Sequence, residues 1–249
     1  MNQSRKDLRK TSKRNYKKVI LNIGIGLIIA LIIGAIIVVL NFDKLQGNAA
    51  HNLQNTALRI GKTNKQRKNP SFNFSDVKPI SPASLAYAYA HQKDYRAIGQ
   101  ITIPKWHINL NIYKGVGNTE LNLGAGTMKP NQVMGKGNYA LAGHNMDDGR
   151  SYFSPLYTAK VRGYLGSDTT IMLTDYKNVY FYKTIESTFI SRNRIDLIDD
   201  KPEFIKNPVI SLFTCDYTGA GRLFVRGKLT GMQSFSSASN YVKNAFLLN

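Results

Sequence analysis

Cys215 is the only cysteine in this 249-residue chain and its strongest candidate for covalent chemistry. It ends an apolar, β-prone run that begins at Val209, a pattern that predicts a strand ending at the thiol. A thiol with the ordinary pKa of about 8.5 is only slightly ionised near neutral pH, so a catalytic cysteine needs a neighbouring base or cation. A short connection with two glycines follows, and Arg222 then opens the next predicted strand. The spacing therefore predicts a fixed positive charge beside the thiol.

The base must come from elsewhere, because the guanidinium of Arg222 does not accept a proton. His144 has the matching position, at the end of the strand-like run of residues 139–142. Cys215, His144 and Arg222 would together suit acyl transfer: the thiolate attacks a carbonyl, the imidazolium protonates the departing amine and the cation stabilises the oxyanion. A lone cysteine is also often a small buried hydrophobe. Chemistry alone leaves both interpretations open.

The amino-terminal region predicts a membrane anchor. Residues 19–42 contain no charged residue and are long enough to cross a bilayer as a helix. Residues 1–18 carry eight basic residues and one acidic residue, which predicts a cytoplasmic tail and an extracellular body. A cleavable signal peptide is the alternative, but its apolar region is normally about 7 to 15 residues long. The formal net charge of +19 lies mostly beside this segment, which favours attraction to membrane and envelope and disfavours a nucleic-acid partner.

The remaining chain divides by composition. Residues 43–80 are polar, basic and without periodicity, which predicts an extracellular linker. Residues 81–231 form the predicted catalytic domain, which starts with a short helix capped at Ser81 and continues as seven or eight short strands. Such strands predict a closed barrel or a sandwich. Residues 232–249 are a tail for which a final helix and a mobile end both stay open.

The motifs around the triad resemble those of a known family. S-L-F-T-C-D at Cys215, with R-L-F-V-R-G from Arg222, resembles the T-L-x-T-C signature and downstream arginine of the sortases, which attach proteins to Gram-positive cell walls. L-A-G-H at His144 fits their second signature, and residues 98–229 resemble the class A, or housekeeping, sortases. Ser211 stands where the family usually has threonine and keeps the hydroxyl. The resemblance implies a mainly β fold: an eight-stranded sortase-type β-barrel with short helices, preceded by a single N-terminal transmembrane helix.

The resemblance also implies a reaction. Class A sortases cleave an L-P-x-T-G signal of a surface protein between Thr and Gly, through a cysteine thioester. They then transfer the protein to an amine of the cell-wall precursor lipid II or of the peptidoglycan cross-bridge. Cys215 would carry the acyl group, His144 would act as acid and then base, and Arg222 would orient substrate and oxyanion. The implied groove contacts, including the apolar residues of the substrate loop at 187–207, are Thr214, Ala142, Ile195, Leu197 and Ile198. The last three could instead only hold that loop against the barrel.

The loop before the histidine strand lacks the ligands of a calcium site. Some class A sortases bind calcium through carboxylates in the loop before the histidine strand, but residues 128–137 hold two lysines and no carboxylate. This predicts calcium independence and no cofactor.

Two alternative functions stay open. A pilin-polymerising sortase is one alternative, disfavoured because residues 43–96 contain no D-P-F/W/Y lid motif. A non-catalytic envelope-binding β-barrel with an inert Cys215 is the other.

Overall fold

The computed structural model describes residues 2–63, 69–146, 148–216 and 219–246. It divides into two compact units, residues 1–45 and residues 46–249. The first unit contains α1 (Asn2–Leu40) and the first residues of α2 (Phe42–Ile60). Within α1, Lys18–Leu40 is apolar and long enough to cross a membrane, and its large apolar side chains are exposed. This unit is consistent with a single-pass membrane anchor.

The second unit is built around a closed barrel of eight strands, as the resemblance implied. The barrel order is β1-β2-β3-β4-β7-β8-β6-β5. Neighbouring strands are antiparallel except in the β2–β3 and β4–β7 pairs, which are parallel. The strands are β1 (Ala97–Ile103), β2 (Ile108–Tyr113), β3 (Ala125–Thr127), β4 (Asn138–Ala142), β5 (Thr170–Thr174), β6 (Asn178–Ser191), β7 (Val209–Cys215) and β8 (Gly221–Ser234).

The burial of β7 explains its sequence. Every residue of β7 from Val209 to Thr214 is buried, so this strand is a continuous apolar run without polar alternation. One face packs into the barrel interior, where Ile101, Ile112 and Leu212 are at most 1 % exposed. The other face contributes Phe213 to a smaller outer apolar cluster. Burial on both sides therefore fixes where β7 ends and where Cys215 emerges.

Short helices surround the barrel. α3 (Pro82–His91) begins as predicted: the Ser81 and Ser84 side chains each accept a hydrogen bond from the other's backbone N–H. The carboxyl-terminal tail contains a helix, whose Val242 packs with Phe246 against the outside of β5 and β6. The other α-helices of the barrel unit are α4 (Asn118–Leu123), α5 (Ser154–Val161), α6 (Pro202–Lys206) and, in the tail, α7 (Asn240–Ala245). Single 3₁₀ turns lie at Gly61–Thr63, Phe74–Asp76, Gln92–Asp94, Pro104–Trp106 and Ile195–Ile198.

The structure differs from the predicted linker at residues 43–80. From residue 46 onward α2 packs on the barrel, with Ala50, Leu53 and Ala57 at most 3 % exposed. The Asn111 side-chain amide donates to the carbonyl of Ala57 at 2.6 Å. The buried residues of α2 recur at helical spacing, and they include Leu53 and Leu58 beside small residues and the polar Gln54. The prediction of a linker was wrong here because the segment is polar and basic overall, which hid this one-sided apolar repeat.

Residues 69–80 also lie against the barrel, and we call them the strap. The backbone N–H of Val116 donates to the carbonyl of Ser71 at 2.7 Å, and the Lys78 N–H donates to the Asn118 side chain at 2.8 Å. Gly115 has φ +95°, and a Cβ there would lie 2.6 Å from the Ser71 carbonyl oxygen. A larger residue at 115 would therefore push the strap away.

Candidate active site

Three adjacent strands bring the predicted catalytic residues together. In the β7–β8 pair, Cys215 and Arg222 are direct partners, and in the parallel β4–β7 pair Ala142 lies beside Phe213. The N–H of Gly143 donates to the Phe213 carbonyl at 3.0 Å, so the chain stays beside β7 as it reaches His144. The side chains of Cys215, His144 and Arg222 all line one groove.

The groove has an apolar floor and few polar groups. β7, β4 and the α4–β4 region supply the floor, and the end of β6 with the following loop supplies one wall. An apolar cleft with a few convergent polar groups is the usual form of a substrate site. Its lining residues are Phe74, Val77, Leu121, Met128, Ala142, Gly143, His144, Ile190, Ser191, Arg192, Arg194, Ile195, Phe213, Thr214, Cys215 and Arg222.

His144 is held as a neutral imidazole. Only 7 % of the residue is exposed, and its buried Nε2 has no hydrogen-bond partner among the described residues. Burial disfavours the charged ring and lowers the pKa of His144 from 6.5 to about 4. At neutral pH the ring is therefore free to accept a proton from a thiol in the same groove.

This burial predicts an acid-sensitive fold. Because the folded pKa of His144 lies below the unfolded value, only the unfolded chain gains a proton between pH 6.5 and about 4, and stability falls as pH falls through that window. We expect the free energy of unfolding to decrease by about 2–3 kcal/mol between pH 7 and 4.5, at ~1.4 kcal/mol per pKa unit. Denaturant unfolding of the full chain in detergent, compared with His144→Gln, measures this loss.

Three aspartates whose pKa values the fold lowers titrate below this pH window. The fold lowers the pKa values of Asp148, Asp175 and Asp200 below their ordinary 3.8, so their stabilising contribution is lost below the histidine window. The His144→Gln chain should therefore lose clearly less stability than the unmodified chain between pH 7 and 4.5. An equal loss in both chains would contradict a buried neutral His144.

Cys215 is half-buried at the end of β7. Its carbonyl oxygen accepts a hydrogen bond from the side-chain amide of Asn145 at 3.1 Å. Asn145 directly follows His144, so this bond connects the thiol strand to the segment that carries the imidazole. The sequence reasoning did not identify Asn145, because a single asparagine after a histidine has no distinctive pattern.

Arg222 is fixed by the turn between β7 and β8. Its Nη1 donates to the carbonyl oxygens of Gly219 and Gly221, at 2.9 and 2.7 Å. Carbonyl acceptors orient the guanidinium without neutralising its charge. The arginine therefore presents a permanent positive charge to the groove beside the thiol.

The predicted substrate contacts divide into two groups. Thr214, Ala142 and Ile195 line the groove. Thr214 is 4 % exposed, and its buried Oγ1 has no hydrogen-bond partner among the described residues. Leu197 and Ile198 do not line it and instead pack, partly buried, against the outer apolar cluster. The positions of Leu197 and Ile198 therefore match the alternative prediction, in which they hold the loop against the barrel.

Polar contacts explain why that loop turns inward at Leu197. Its carbonyl accepts hydrogen bonds from the Asn138 side chain at 2.8 Å and from Arg226 at 3.1 Å. The loop is also shorter than predicted at its start, because β6 stays paired with β8 as far as Ser191 opposite Gly221. Only Ile195, which is 62 % exposed, remains available to a ligand among the three predicted loop residues.

The strap supplies groove residues that the sequence reasoning missed. Phe74 and Val77 line the groove and pack against the outer apolar cluster. In the sequence, Phe74 and Val77 are isolated apolar residues of a polar segment that also contains Phe72. Three such residues are too few to show the periodicity of a helix or a strand. The strap therefore forms one wall of the site.

Comparisons with known proteins agree with this architecture. The family described as the Sortase domain matches residues 101–230. Sortase A of Streptococcus agalactiae is 35 % identical over 232 residues, which cover 88 % of this chain and 90 % of that protein. Sortase A of Listeria monocytogenes is 34 % identical over 194 residues, which cover 76 % of this chain and 82 % of that protein.

Solved structures show the same barrel. The crystal structure of Listeria monocytogenes sortase A superposes with a TM-score of 0.52 at 32 % identity, covering 60 % of this chain and 96 % of that one. Sortase C-3 of Streptococcus pneumoniae also gives a TM-score of 0.52, at 15 % identity, covering 81 % of this chain and 92 % of that one. The second likeness concerns the fold alone.

Proposed function

The chain belongs to the sortase family as a sortase A-type cysteine transpeptidase, and we propose that it cleaves L-P-x-T-G signals between Thr and Gly and transfers the acyl group to an amine of lipid II or the peptidoglycan cross-bridge. The observation that carries this proposal is the convergence of Cys215, His144 and Arg222 on one apolar groove. With α1 as a single-pass anchor and its basic tail inside, the catalytic domain would face the cell wall.

The first half of the proposed reaction forms a thioester. Neutral His144 takes the proton of the Cys215 thiol, and the sulfur attacks the carbonyl carbon of the substrate threonine. Arg222 stabilises the negative oxygen of the tetrahedral intermediate. When the C–N bond breaks, the His144 imidazolium gives its proton to the departing glycine amine.

The second half transfers the acyl group. An incoming primary amine attacks the thioester and passes a proton to His144, and the Cys215 thiolate leaves and is reprotonated. The buried imidazole is uncharged at neutral pH, so it has a free ring nitrogen for that proton. The reaction needs no redox or metal partner for its atoms and charges to balance.

The groove surface supports an apolar, proline-containing peptide. Ile190, Ile195 and Phe213 provide apolar area beside the thiol, and Val77 adds to it from the strap. A Leu-Pro pair would bury apolar surface there with little loss of conformational freedom, because proline is already restricted. The substrate assignment rests on this match and on family membership.

The test uses the full chain in detergent with a fluorogenic L-P-x-T-G peptide, with and without triglycine as the amine. Cleavage that yields a triglycine-linked product supports the proposal, and an A-A-x-T-G peptide is the matched control. Absence of cleavage and of a thioester adduct, with a Cys215 thiol that resists alkylation while folded, would instead support the non-catalytic envelope-binding barrel.

One observation favours the pilin-polymerising alternative. Such sortases often carry an occluding segment ahead of the barrel, and the strap places Phe74 and Val77 in the groove without the expected motif. The nucleophile in that case would be a lysine side chain on another protein. Competition between triglycine and a lysine-bearing pilin peptide distinguishes the two: preferential transfer to lysine would support the alternative.

We also propose that activity is independent of calcium. The Asp200 carboxylate already accepts hydrogen bonds from Lys129 at 2.7 Å and from the Asn138 N–H at 2.6 Å. Although burial opposes ionisation, these two bonds hold the pKa of Asp200 below its ordinary value. Arg194 pairs in the same way with Asp196, at 2.7 and 2.9 Å. The ammonium of Lys129 thus links the two loops that a calcium ion would otherwise join.

Calcium should therefore change the cleavage rate by less than about twofold, a change no larger than the general effect of added salt on exposed charges. The measurement is peptide cleavage across a calcium titration and after chelation, with magnesium as the control cation. A several-fold increase specific to calcium would overturn the prediction.

A further inference from the structure

Tyr152 is in direct ring contact with the active-site histidine. The rings of His144 and Tyr152 meet edge-on, with centroids 5.5 Å apart and planes at 73°. Because the buried Nε2 of His144 has no hydrogen-bond partner among the described residues, that nitrogen does not fix the plane of the imidazole. Ring packing against Tyr152 therefore restrains the orientation of the histidine.

Tyr152 itself has an unusual backbone conformation. Its φ is +52°, in the left-handed region that a bulky aromatic residue rarely occupies, and the residue is 1 % exposed. Such a conformation persists only when surrounding contacts over-determine it. The phenol donates to the Asn122 carbonyl at 2.7 Å, which fixes the far end of the ring.

The backbone of Tyr152 is fixed by Gln54. The N–H of Tyr152 donates to the Gln54 side-chain oxygen at 3.2 Å, and Gln54 is 4 % exposed on the barrel-facing side of α2. This bond crosses from the helix that follows the membrane anchor in sequence to the loop that carries the histidine. The side-chain oxygen of Gln54 is therefore bonded to the histidine loop.

Further contacts close the same loop and bring it near α2. The N–H of Phe153 donates to the His144 carbonyl at 3.0 Å and closes the loop. The Asp148 carboxylate accepts from the Ser151 N–H at 2.8 Å, and a Cβ at Gly47 would lie 2.9 Å from that carboxylate. Helix and loop are thus in close contact, and the geometry of one constrains the other.

We propose that Gln54 is a positioning residue for the reaction: its buried amide holds Tyr152 in the left-handed conformation, and the Tyr152 ring sets the orientation of the His144 imidazole. The inference rests on the proposed role of His144 in proton transfer. It makes the barrel-facing part of α2 a component of the active site although α2 does not line the groove.

The test replaces Gln54 with methionine in the full chain in detergent, which keeps side-chain length and removes the acceptor. The Tyr152 N–H loses its partner, the loop relaxes and His144 becomes more hydrated. We expect the pKa of His144, followed by NMR of labelled histidine, to rise by at least about one unit toward 6.5. We expect kcat for the L-P-x-T-G peptide to fall about tenfold or more, with KM changed by less than about twofold.

Gln92→Met is the matched control. Gln92 is also a buried glutamine, and its side chain donates to the Tyr89 carbonyl at 2.9 Å, away from the histidine loop. Both variants should lower the unfolding temperature, but only Gln54→Met should change the His144 pKa and kcat. Equal destabilisation with both quantities unchanged would overturn the proposal and leave Gln54 a structural residue.

The charged and titratable groups around His144 stay the same in both variants. Those that share its groove are Cys215, Arg222, Arg192 and Arg194, and Asp148 lies on its own loop. A shifted histidine pKa would therefore report hydration and orientation. If Gln54→Met does not fold, Gln54→Asn, which keeps the amide but shortens its reach, should give a smaller shift in the same direction, and no shift would overturn the proposal.

The design separates this proposal from the proposed function. If the unmodified chain does not cleave the peptide, the transpeptidase substrate is wrong, while the NMR comparison still decides whether Gln54 controls His144. If the unmodified chain cleaves the peptide and the histidine pKa stays constant in Gln54→Met, only the positioning role fails.

Discussion

Replacing Cys215 with alanine should abolish thioester formation and lower peptide cleavage by at least about 10⁴-fold, as for removal of the nucleophile from other acyl-transfer enzymes. The reason is specific to this groove: within the described residues Cys215 is the only thiol beside the buried neutral imidazole of His144. Trapping of an acyl-enzyme and its detection by intact-protein mass spectrometry would show the adduct in the unmodified chain and its absence in the variant.

Cys215→Ser provides the stricter comparison. Serine keeps the shape of the side chain at the end of β7, but its hydroxyl is a far weaker nucleophile without a strong neighbouring base, and His144 has a pKa of only about 4. Peptide affinity should stay within about twofold in both variants, because the apolar walls that hold the peptide are unchanged. Cleavage within tenfold of the unmodified chain in either variant would contradict a cysteine nucleophile.

The core of the site could be predicted because strand ends are strongly encoded. β7 is buried on both faces, so its sequence is an uninterrupted apolar run and the change to polar residues marks Cys215 as the point of emergence. The same transition places His144 after β4. The short glycine-containing turn then brings Arg222 opposite Cys215 in the β7–β8 register. Local pattern and motif spacing thus predicted the same convergence.

Other parts of the fold and site could not be predicted, because their positions depend on contacts between segments that are distant in sequence. Leu197 turns toward the barrel because Asn138 and Arg226 donate to its carbonyl, and neither donor is near it in sequence. The strap places Phe74 in the groove through bonds made elsewhere along its length. Such placements depend on tertiary partners that single-sequence periodicity does not reveal. α2 is different, because its buried residues do recur at helical spacing, but within a polar and basic segment that was predicted to be a linker.

Arg222→Ala should lower kcat by about 10²- to 10³-fold, equivalent to ~3–4 kcal/mol of transition-state stabilisation, the usual effect of removing one oxyanion donor. The guanidinium is fixed by the Gly219 and Gly221 carbonyls, which orient it while leaving its charge available to the substrate. Arg222→Lys should recover only part of the loss, because an ammonium keeps the charge without the planar fork. Single-turnover cleavage measures the effect on thioester formation directly.

Arg226 provides an internal control on the same strand. The residue is 8 % exposed, and its guanidinium stacks over Phe204 and Phe224 and donates to the Leu197 carbonyl. Arg226 therefore supports the substrate loop and lies outside the groove lining. Arg226→Ala should therefore lower stability and raise KM while kcat changes little. If Arg222→Ala instead gave this same pattern, the arginine paired with Cys215 would act by holding the β7–β8 turn, and the oxyanion would need another donor from the groove. A selective loss of kcat in Arg222→Ala alone would assign the charge stabilisation to that residue.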